Sequence, residues 1–436
     1  MNFSTPKILL DYAEKLENYY STSFPSLAKL AQPAFLSTVQ TTVEKLDGGR
    51  YFIITGDIPA MWLRDSAAQL VNYIPFAKYC NAVREMMEGA IASQAYSVCT
   101  DPYANAFNAE PNHNGFCDLT EPNPLVWERK FEVDSLCAPI FLIHQYWKET
   151  GFTSIFTTKV HEMLQRIVSV FFQEQDHRTS AYRFQRLNCP ETDTLTNNGK
   201  GTPVSKTGLI WSGFRPSDDR CELGYLIPSN MMAYVAMGKA QEIATKIYVD
   251  SKLSLDCASL ANDIFLGISA YGRYHHQIFG EIYAYETDGF GNYNLMDDAN
   301  SPSLLSMPYI GYCRKDDPTY LSTRKFILSP SNPYFYSGIC ASGVGSPHTP
   351  FDYVWHIGLI MQAMTSTVPS EILRCLHTLA TTHADCNLMH ESFDCNQPKS
   401  FTRPWFAWAN TLLAQLMITL MNNDFFNNIE KRDNLC

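Results

Sequence analysis

The chain has 436 residues, of which 45% are hydrophobic and only 18% are charged. This balance excludes a disordered protein and predicts an extensive buried core. The length suggests two domains by ordinary size, although a closed helical barrel of one domain also reaches it. A formal net charge of −11 provides no basic surface for neutralising phosphates, so nucleic acid is excluded as a partner and neutral or cationic ligands fit better.

Helical periodicity is the clearest pattern along the chain. In "CASLANDIFLGISAYG" (257–272), apolar residues recur at intervals of three and four and define one helix face. Ser229, and either Asp65 or Ser66, are predicted N-caps of the helices that follow them. The same periodicity predicts further helices at about 6–19, 27–44, 66–79, 82–98, 134–149, 153–174, 230–247, 352–365, 369–382 and 404–421.

Long connections rich in aromatic residues, Pro, Gly and Asn separate these helices, at 100–132, 184–228, 272–340 and 383–403. Loops beyond about 12–15 residues are uncommon in compact domains and tend to be functional. Their alternation with helical hairpins predicts an all-α fold, a closed α/α toroid with the loops gathered at one end. No repeat with the period of an α-solenoid occurs, and neither a dinucleotide glycine motif nor a Walker A motif is found.

The cysteines and the acidic pairs give little support for a metal site. No Cys-x-x-Cys pair occurs among the thirteen cysteines, and Cys386 and Cys395 are too loosely spaced for a zinc clip. The adjacent aspartates of "MDDAN" (296–300) lack a third ligand at helical spacing. We therefore expect no metal and no other cofactor.

The N-terminal sequence and the overall hydropathy bear on location. "MNFSTPKILLDYAEKLENYY" has no basic segment followed by an apolar run, so we expect reduced thiols and a cytoplasmic protein. The most apolar stretch, 353–364, is too short to cross a bilayer, so no membrane partner is expected.

Four loop stretches concentrate polar side chains among aromatic ones. Taken singly, each has an ordinary structural interpretation, such as a helix cap or a solvated charge. The stretches are "TGDIPAMWLRDSAAQL" with Asp57, Trp62, Arg64 and Asp65; "DPYANAFN" and "WERKFEVDSL" with Asn105, Asn108, Glu128, Lys130, Glu132 and Asp134; "SGFRPSDDR" with Asp218 and Asp219; and "NLMHESFD" with His390 and Glu391.

Taken together, the four stretches favour a site for a neutral polyol. Sugar rings present apolar faces to aromatic side chains and hydroxyls to carboxylates and amides. A glycosidase needs two carboxyl groups from different parts of the chain, and burial beside like charge keeps one of them protonated.

Six motifs, in this order across 55–408, carry a specific resemblance: "TGDIPAMWLRDS", "DPYANAFN", "WERKFEVDSLC", "WSGFRPSDD", "NPYFYSG" and "LMHESF". They resemble glycoside hydrolase family 125, the metal-independent exo-α-1,6-mannosidases. The resemblance implies one (α/α)6-barrel catalytic domain over 1–436 and hydrolysis with inversion of the anomeric configuration. The implied partner is an α-mannoside oligosaccharide derived from N-glycans.

The same resemblance implies roles for individual residues. The general acid lies in "RPSDD", at Asp218 or Asp219, with Asp219 preferred, and the general base is Glu391. The implied substrate-binding residues are Asp57, Trp62, Arg64, Asp65, Asn105, Asn108, Glu128, Lys130, His348 and His390, with Arg64 and Asp65 on the terminal mannose.

Two other functions stay open at this point. One is another glycosidase on the same toroid, glucoamylase-like or a calcium-dependent α-1,2-mannosidase. The other is a mannose-binding protein without turnover, although acids stand at both implied catalytic positions.

Overall fold

The computed structural model describes residues 3–116, 118–120 and 122–433. Its helices are α1 (Lys7–Ser23), α2 (Pro25–Thr41), α3 (Leu63–Leu70), α4 (Asn81–Thr100), α5 (Val133–Thr150), α6 (Thr158–Glu174), α7 (Thr196–Gly199), α8 (Ile227–Ile243), α9 (Ser251–Tyr271), α10 (Pro318–Ile327), α11 (His356–Thr365), α12 (Pro369–Thr381), α13 (Ala407–Asn422) and α14 (Phe425–Asp433). Short strands occupy the long connections: β1 (Val43–Lys45), β2 (Tyr51–Ile53), β3 (Met61–Trp62), β4 (Ala106–Phe107), β5 (Val126–Glu128), β6 (Tyr225–Leu226), β7 (Arg273–His276), β8 (Gly280–Tyr283), β9 (Glu286–Thr287), β10 (Tyr293–Asn294), β11 (Phe335–Ser337), β12 (Ser342–Val344), β13 (Tyr353–Trp355), β14 (Ser392–Asp394) and β15 (Phe401–Thr402).

Burial of the predicted apolar faces explains the long helices. In α9, Cys257, Leu260, Ile264 and Ile268 are buried, as the periodicity predicts. The Asp250 carboxylate caps this helix by accepting a hydrogen bond from the Leu253 backbone N–H at 3.0 Å. α9 is also the helix that, among the described residues, is long and apolar enough to cross a membrane by length and composition. Here it packs along α8.

The predicted N-caps at Ser229 and at Asp65 or Ser66 are wrong. α8 begins at Ile227 and α3 at Leu63, so these side chains lie inside the first helical turns. Strands β6 and β3 deliver the chain directly into the two helices. The Ser229 hydroxyl instead donates to Asp134 at 2.9 Å, and no side chain caps either helix.

Two concentric rings of helices form the predicted closed α/α toroid. In the inner ring, α3 packs against α5, α5 against α8, α11 against α13, and α13 against α3. The outer ring contains α2, α4, α6, α9, α10 and α12. A chain of turns at 301–312 takes the sixth inner position between α8 and α11, because Pro302 and Pro308 interrupt a helical hydrogen-bond pattern there. These turns and the inner helices surround a cavity of about 330 Å³.

The inner helices all begin at the same end of the toroid, where three small antiparallel sheets fix the long loops. β4 pairs with β3 and β5 and connects the starts of α3 and α5. β9 pairs with β6 at the start of α8, and β14 pairs with β13 and β15 at the start of α11. The residues singled out in the four polar stretches gather at this end.

Candidate active site

Arg64 in the first turn of α3 is the centre of a buried ion-pair cluster. Its Nη1 donates to Glu132 Oε2 and to Asp134 Oδ2, each at 2.9 Å. Its Nη2 lies 3.3 Å from Asp65 Oδ2, and the guanidinium lies over the Trp408 ring at 5.7 Å. Three inner helices therefore contribute to one cluster, because α3, α5 and α13 bring their first turns together here.

Several buried polar atoms at this end of the toroid have no hydrogen-bond partner within the described chain. They are Trp62 Nε1, Asp65 Oδ2, Trp127 Nε1, Asp219 Oδ2 and Trp408 Nε1. Buried polar groups in proteins are normally paired, and unpaired ones mark functional positions. Indole donors beside carboxylate acceptors match the mixed apolar and hydroxyl surface of a sugar.

The side-chain amide of Asn105 joins three carboxyl groups. Its Oδ1 accepts a hydrogen bond from the Lys130 backbone N–H at 3.2 Å, which fixes the orientation of the amide. Its Nδ2 then lies 2.9 Å from Glu128 Oε2, 3.4 Å from Glu132 Oε1 and 3.3 Å from Asp218 Oδ1. Asn105 thus connects the sheet residue Glu128 with the acids at the start of α5 and in the 215–219 turn.

Glu128 and Lys130 are held mainly by other protein groups. Lys130 Nζ donates to the Asp218 carbonyl at 2.8 Å and to Asp193 Oδ1, and lies 3.5 Å from Glu128 Oε1. Arg186 also contacts this Glu128 oxygen, at 2.8 Å, and contacts Asp193 Oδ2 at 2.8 Å. Glu128 and Asp193, which both contact Arg186, thus hold Lys130, and Lys130 in turn positions the Asp218 backbone.

A tight turn carries the two neighbouring aspartates. The Asp218 backbone N–H donates to the Arg215 carbonyl at 2.9 Å, and the Arg215 N–H donates to the Asp219 carbonyl at 2.7 Å. Asp218 has a φ of +70°, a left-handed conformation that aspartate tolerates. The pair does not cap a helix, because α8 begins only at Ile227.

The segment at 286–300 supports this turn from behind. Arg215 Nε donates to Glu286 Oε1 at 2.6 Å, and Ser217 Oγ donates to Asp298 Oδ2 at 2.5 Å. Asn300 Nδ2 donates to the Pro216 carbonyl at 2.7 Å. Asp298 therefore positions the turn.

Asp219 and Asp218 have different surroundings. The buried Asp219 accepts a hydrogen bond at Oδ1 from His348 Nδ1 at 3.1 Å. Burial lowers the pKa of His348, but Asp219, Glu391 and Asp218 outweigh it and raise that pKa to about 9. Asp218 is only partly buried. Burial would raise its pKa, whereas Lys130, Arg64 and His348 together hold it below the usual value.

Glu391 directly precedes β14 and is buried beside β15. Its Oε2 accepts a hydrogen bond from Thr402 Oγ1 at 2.9 Å, and its Oε1 lies 3.8 Å from Arg403 Nη1. Burial raises the pKa of this carboxyl, although His348, Arg403 and the Thr402 hydrogen bond oppose the shift. The cationic His348 thus interacts electrostatically with Glu391 as well as with the two aspartates.

Two asparagines at corresponding positions of inner helices hold the two acid-bearing loops. Asn230 of α8 accepts from the Ile210 N–H at 2.8 Å and donates to the Ile210 carbonyl at 3.0 Å. Asn410 of α13 makes the same pair of bonds with Met389, at 2.8 and 3.0 Å. Each asparagine therefore fixes a loop backbone upstream of a carboxylate, at Asp218 and at Glu391.

Three nominated residues lie in other contacts. Asn108 Nδ2 donates to the carbonyls of Asn114 and Pro124, within the 108–124 loop. His390 stacks on Phe401 at 3.7 Å. Asp57 pairs with Arg403 Nε at 2.9 Å, which places it beside Glu391 through that arginine.

Other residues at the site were not nominated from the sequence. Glu132 and Asp134 were noted within their stretch, but no sequence pattern indicates that both contact Arg64 from the start of α5. Asp298 was considered only as a metal ligand, within "MDDAN". Thr402 and Arg403 belong to no motif, although they lie only 11 and 12 residues after Glu391. No group of three or more His, Cys, Asp or Glu side chains in the described ranges is arranged to hold a metal ion.

Comparison with known proteins identifies a family. A family model described as "Metal-independent alpha-mannosidase (GH125)" matches residues 25–418. The Meiotically up-regulated gene 157 protein of Schizosaccharomyces pombe is 39% identical over 96% of this chain and 86% of its own length.

Two solved structures are similar. One is a metal-independent alpha mannosidase of Streptococcus pneumoniae in a non-productive substrate complex with alpha-1,6-mannobiose, with a TM-score of 0.94 and 41% identity over 96% of this chain and 99% of that chain. The other is a bacterial glucoamylase complexed with acarbose, with a TM-score of 0.54 and 10% identity over 93% of this chain and 57% of that chain. The second likeness concerns the fold alone.

The double helical ring with its acid-bearing loops is the (α/α)6 toroid of a glycoside hydrolase. Within that class, the chain belongs to glycoside hydrolase family 125, the metal-independent alpha-mannosidases.

Proposed function

We propose that this protein is an exo-acting α-1,6-mannosidase that releases terminal non-reducing mannose with inversion. The observation that carries the proposal is its similarity, over almost the whole of both chains, to a mannosidase whose structure contains alpha-1,6-mannobiose. The two proposed acids come from separate loops that both approach His348, which suits an acid and a base acting on one sugar ring.

We assign the general acid to Asp218 instead of Asp219, the neighbour preferred from the sequence. His348 carries a positive charge and donates a hydrogen bond to Asp219, so the Asp219 carboxylate is engaged by the histidine and orients it. Asp218 is partly exposed and lies among Asn105 and Arg64, where the glycosidic oxygen is expected. In this role it protonates the leaving oxygen as the bond to the anomeric carbon breaks.

Glu391 is the proposed general base. Its burial raises its pKa and so strengthens it as a proton acceptor, while Thr402 and Arg403 keep one geometry of the carboxylate. It removes a proton from a water that attacks the anomeric carbon opposite the leaving oxygen.

The terminal mannose is expected to lie against Trp62 and Trp127 and to bind Asp65, whose Oδ2 is free to accept a hydrogen bond beside Arg64, and the indole N–H groups. The substrate is then an α-mannoside oligosaccharide of N-glycan origin. We also propose a cytoplasmic location, which is supported by the free thiols of every cysteine in the described part of the chain.

Product analysis by NMR on the 1,2-, 1,3- and 1,6-linked α-mannobioses tests the proposal. We expect the 1,6-linked sugar to be cleaved fastest, with β-mannose as the first anomer released. Release of α-mannose first would contradict inversion, and preferential cleavage of the 1,2-linkage would contradict the assigned specificity. Binding of mannobiose without any cleavage would identify a mannose-binding protein.

A further inference from the structure

The buried side chain of Glu132, which directly precedes α5, is tied unequally at its two oxygens. Oε2 accepts hydrogen bonds from Arg64 Nη1 at 2.9 Å and from Ser135 Oγ at 2.6 Å. Oε1 has one donor, Asn105 Nδ2, at the long distance of 3.4 Å. The same nitrogen also donates to Asp218 Oδ1 at 3.3 Å. An ionised Glu132 would therefore leave Oε1 poorly paired, and a buried carboxylate oxygen is costly in that state.

The balance of hydrogens around Asn105 points the same way. Nδ2 carries two hydrogens, yet oxygens of Glu128, Glu132 and Asp218 all lie within 3.4 Å of it. Carboxylates this close repel one another in a site with little water, so one of them holds a proton. Glu128 pairs with two cations, Arg186 at 2.8 Å and Lys130 at 3.5 Å, whereas Glu132 shares one Arg64 nitrogen with Asp134. The proton is therefore left to Glu132 and Asp218.

The groups that face Glu132 favour one proton on this pair. Arg64 of α3 and Asp134 of α5 lie on the Oε2 side, and Asp218 lies on the Oε1 side. Burial raises the pKa of Glu132 well above its usual range, although Arg64 opposes the shift. Burial would raise the pKa of Asp218, but Lys130, Arg64 and His348 together hold it below its usual value in the free protein.

We propose that Glu132 stores the catalytic proton and passes it from Oε1 to Asp218, which makes Glu132 a positioning residue that acts through the general acid. This inference rests on the proposed function. The proton moves to Asp218 Oδ1, the new hydroxyl turns to the glycosidic oxygen, and the proton is delivered as the bond from that oxygen to the anomeric carbon breaks. Water adds to that carbon and loses its proton to Glu391. The ionised Glu132 is held by Arg64 and Ser135 until solvent reprotonates the pair.

Glu132→Gln tests the proposal with two substrates. The amide keeps an acceptor for Arg64 and Ser135 but has no proton to give, and its N–H groups lower the pKa of Asp218. We expect a loss of ~10²-fold or more on α-1,6-mannobiose, a much smaller loss on a dinitrophenyl mannoside, and an alkaline limb of kcat/KM that moves to lower pH.

Asp134→Asn is the matched control, because Asp134 contacts the same Arg64 nitrogen at 2.9 Å but is not bonded to Asn105. Because Asp134 raises the pKa of Glu132 only through its charge, its removal should move the alkaline limb much less than Glu132→Gln does. If Glu132→Gln lost equal activity on both substrates and its alkaline limb of kcat/KM did not move, Glu132 would only hold Arg64 in place and the proposal would be wrong.

Infrared spectroscopy provides a readout without turnover. A protonated Glu132 shows the C=O stretch of a carboxylic acid at neutral pH. Buried Asp297, whose pKa burial raises to about 8, also contributes such a stretch. Glu132→Gln should therefore lose one such band relative to the wild type, whereas Asp134→Asn should retain it. If Glu132→Gln does not fold, titration of the band that remains in Asp297→Asn above neutral pH decides. Absence of that band in Asp297→Asn overturns the inference, whereas failure of the wild type to cleave either substrate overturns the proposed function.

Discussion

Asp218 and Asp219 are adjacent in sequence, yet one left-handed residue turns their side chains to different partners. Asp219 contacts His348, and Asp218 contacts the Asn105 amide. The Asp219 carboxylate is engaged by a cationic histidine, whereas Asp218 is partly exposed. The local backbone therefore gives the two carboxylates different environments, which is the basis for proposing Asp218 as the acid.

Exchanging each aspartate for asparagine tests this division. Asp218→Asn should lose ~10²–10⁴-fold on α-1,6-mannobiose and far less on a dinitrophenyl mannoside, whose leaving group needs no protonation. Asp219→Asn should lose activity on both substrates alike, since it frees His348. Glu391→Gln should also lose both. Rates are compared only between variants of equal thermal stability. If Asp219→Asn, and not Asp218→Asn, kept its activity on the dinitrophenyl mannoside, Asp219 would be the acid.

His348 should make stability depend on pH. Its pKa is raised from 6.5 to about 9 on folding, so its ion pairs contribute fully below pH 6.5 and are lost as the pH rises toward 9. The side chain is partly exposed, so solvent reduces the contribution.

His348→Asn is the variant that checks this. Its Tm should fall less steeply between pH 6.5 and 9 than that of the wild type. Parallel Tm profiles for the two proteins would contradict the assignment of the charge to His348.

The sequence favoured Asp219 as the acid, whereas the geometry of the site leads us to propose Asp218. The motif places both aspartates in one loop, whereas the choice depends on His348, which lies 129 residues further along the chain. A contact of that separation leaves no trace in local spacing.

At the scale of elements, the acid-bearing loops are fixed by helices that precede or follow them. Asn230 and Asn410 lie in the first turns of α8 and α13 and each satisfy both backbone groups of one loop residue. Because the inner helices are rigid, this arrangement transfers their rigidity to Asp218 and Glu391.

Asn410→Ala should therefore reduce stability and kcat together. Leaving the buried Met389 N–H and carbonyl without partners costs about 1–3 kcal/mol for each group, and the loop that carries Glu391 loses its register. Urea unfolding and kcat on mannobiose measure the two effects. Asn422→Ala, at the exposed end of the same helix, serves as control and should change the unfolding free energy by less than about 0.5 kcal/mol.

Helices were largely predictable from the sequence, and strands were not. α9 buries an apolar stripe over 21 residues, long enough for a period to be visible, whereas β3 and β4 have two residues each and show no alternation. The predicted N-caps were wrong because other contacts hold these side chains. Ser229 and Asp65 are residue types that commonly cap helices, but Ser229 hydrogen-bonds to Asp134 and Asp65 pairs with Arg64.

For the whole molecule, the toroid followed from alternating helices and loops, together with the family resemblance. The sequence did not predict that the sixth inner position is interrupted. In the sequence, 301–312 is part of a long loop, and its place in the ring is visible only once its neighbours on both sides are known. Closure of a ring is a property of all its members, and no single segment encodes it.

Metal independence is the prediction for the molecule as a whole. Activity on α-1,6-mannobiose after dialysis against a chelator should equal that of the untreated protein, because the acids at the site are paired with Arg64, Lys130, Arg186 and His348. The control is addition of calcium to the dialysed protein, which should change nothing. A loss restored by calcium would support a calcium-dependent enzyme instead.

The common orientation of the inner helices has an electrostatic consequence. Each helix N-terminus carries roughly half a positive elementary charge from its aligned peptide dipoles, and those of α3, α5, α8, α11 and α13 converge on the loops with the acids. The backbone thus supplies counter-charge that is insensitive to pH and not removed by side-chain mutation. An acidic protein with few basic residues can in this way keep several carboxyl groups in one buried site, ready for a neutral sugar.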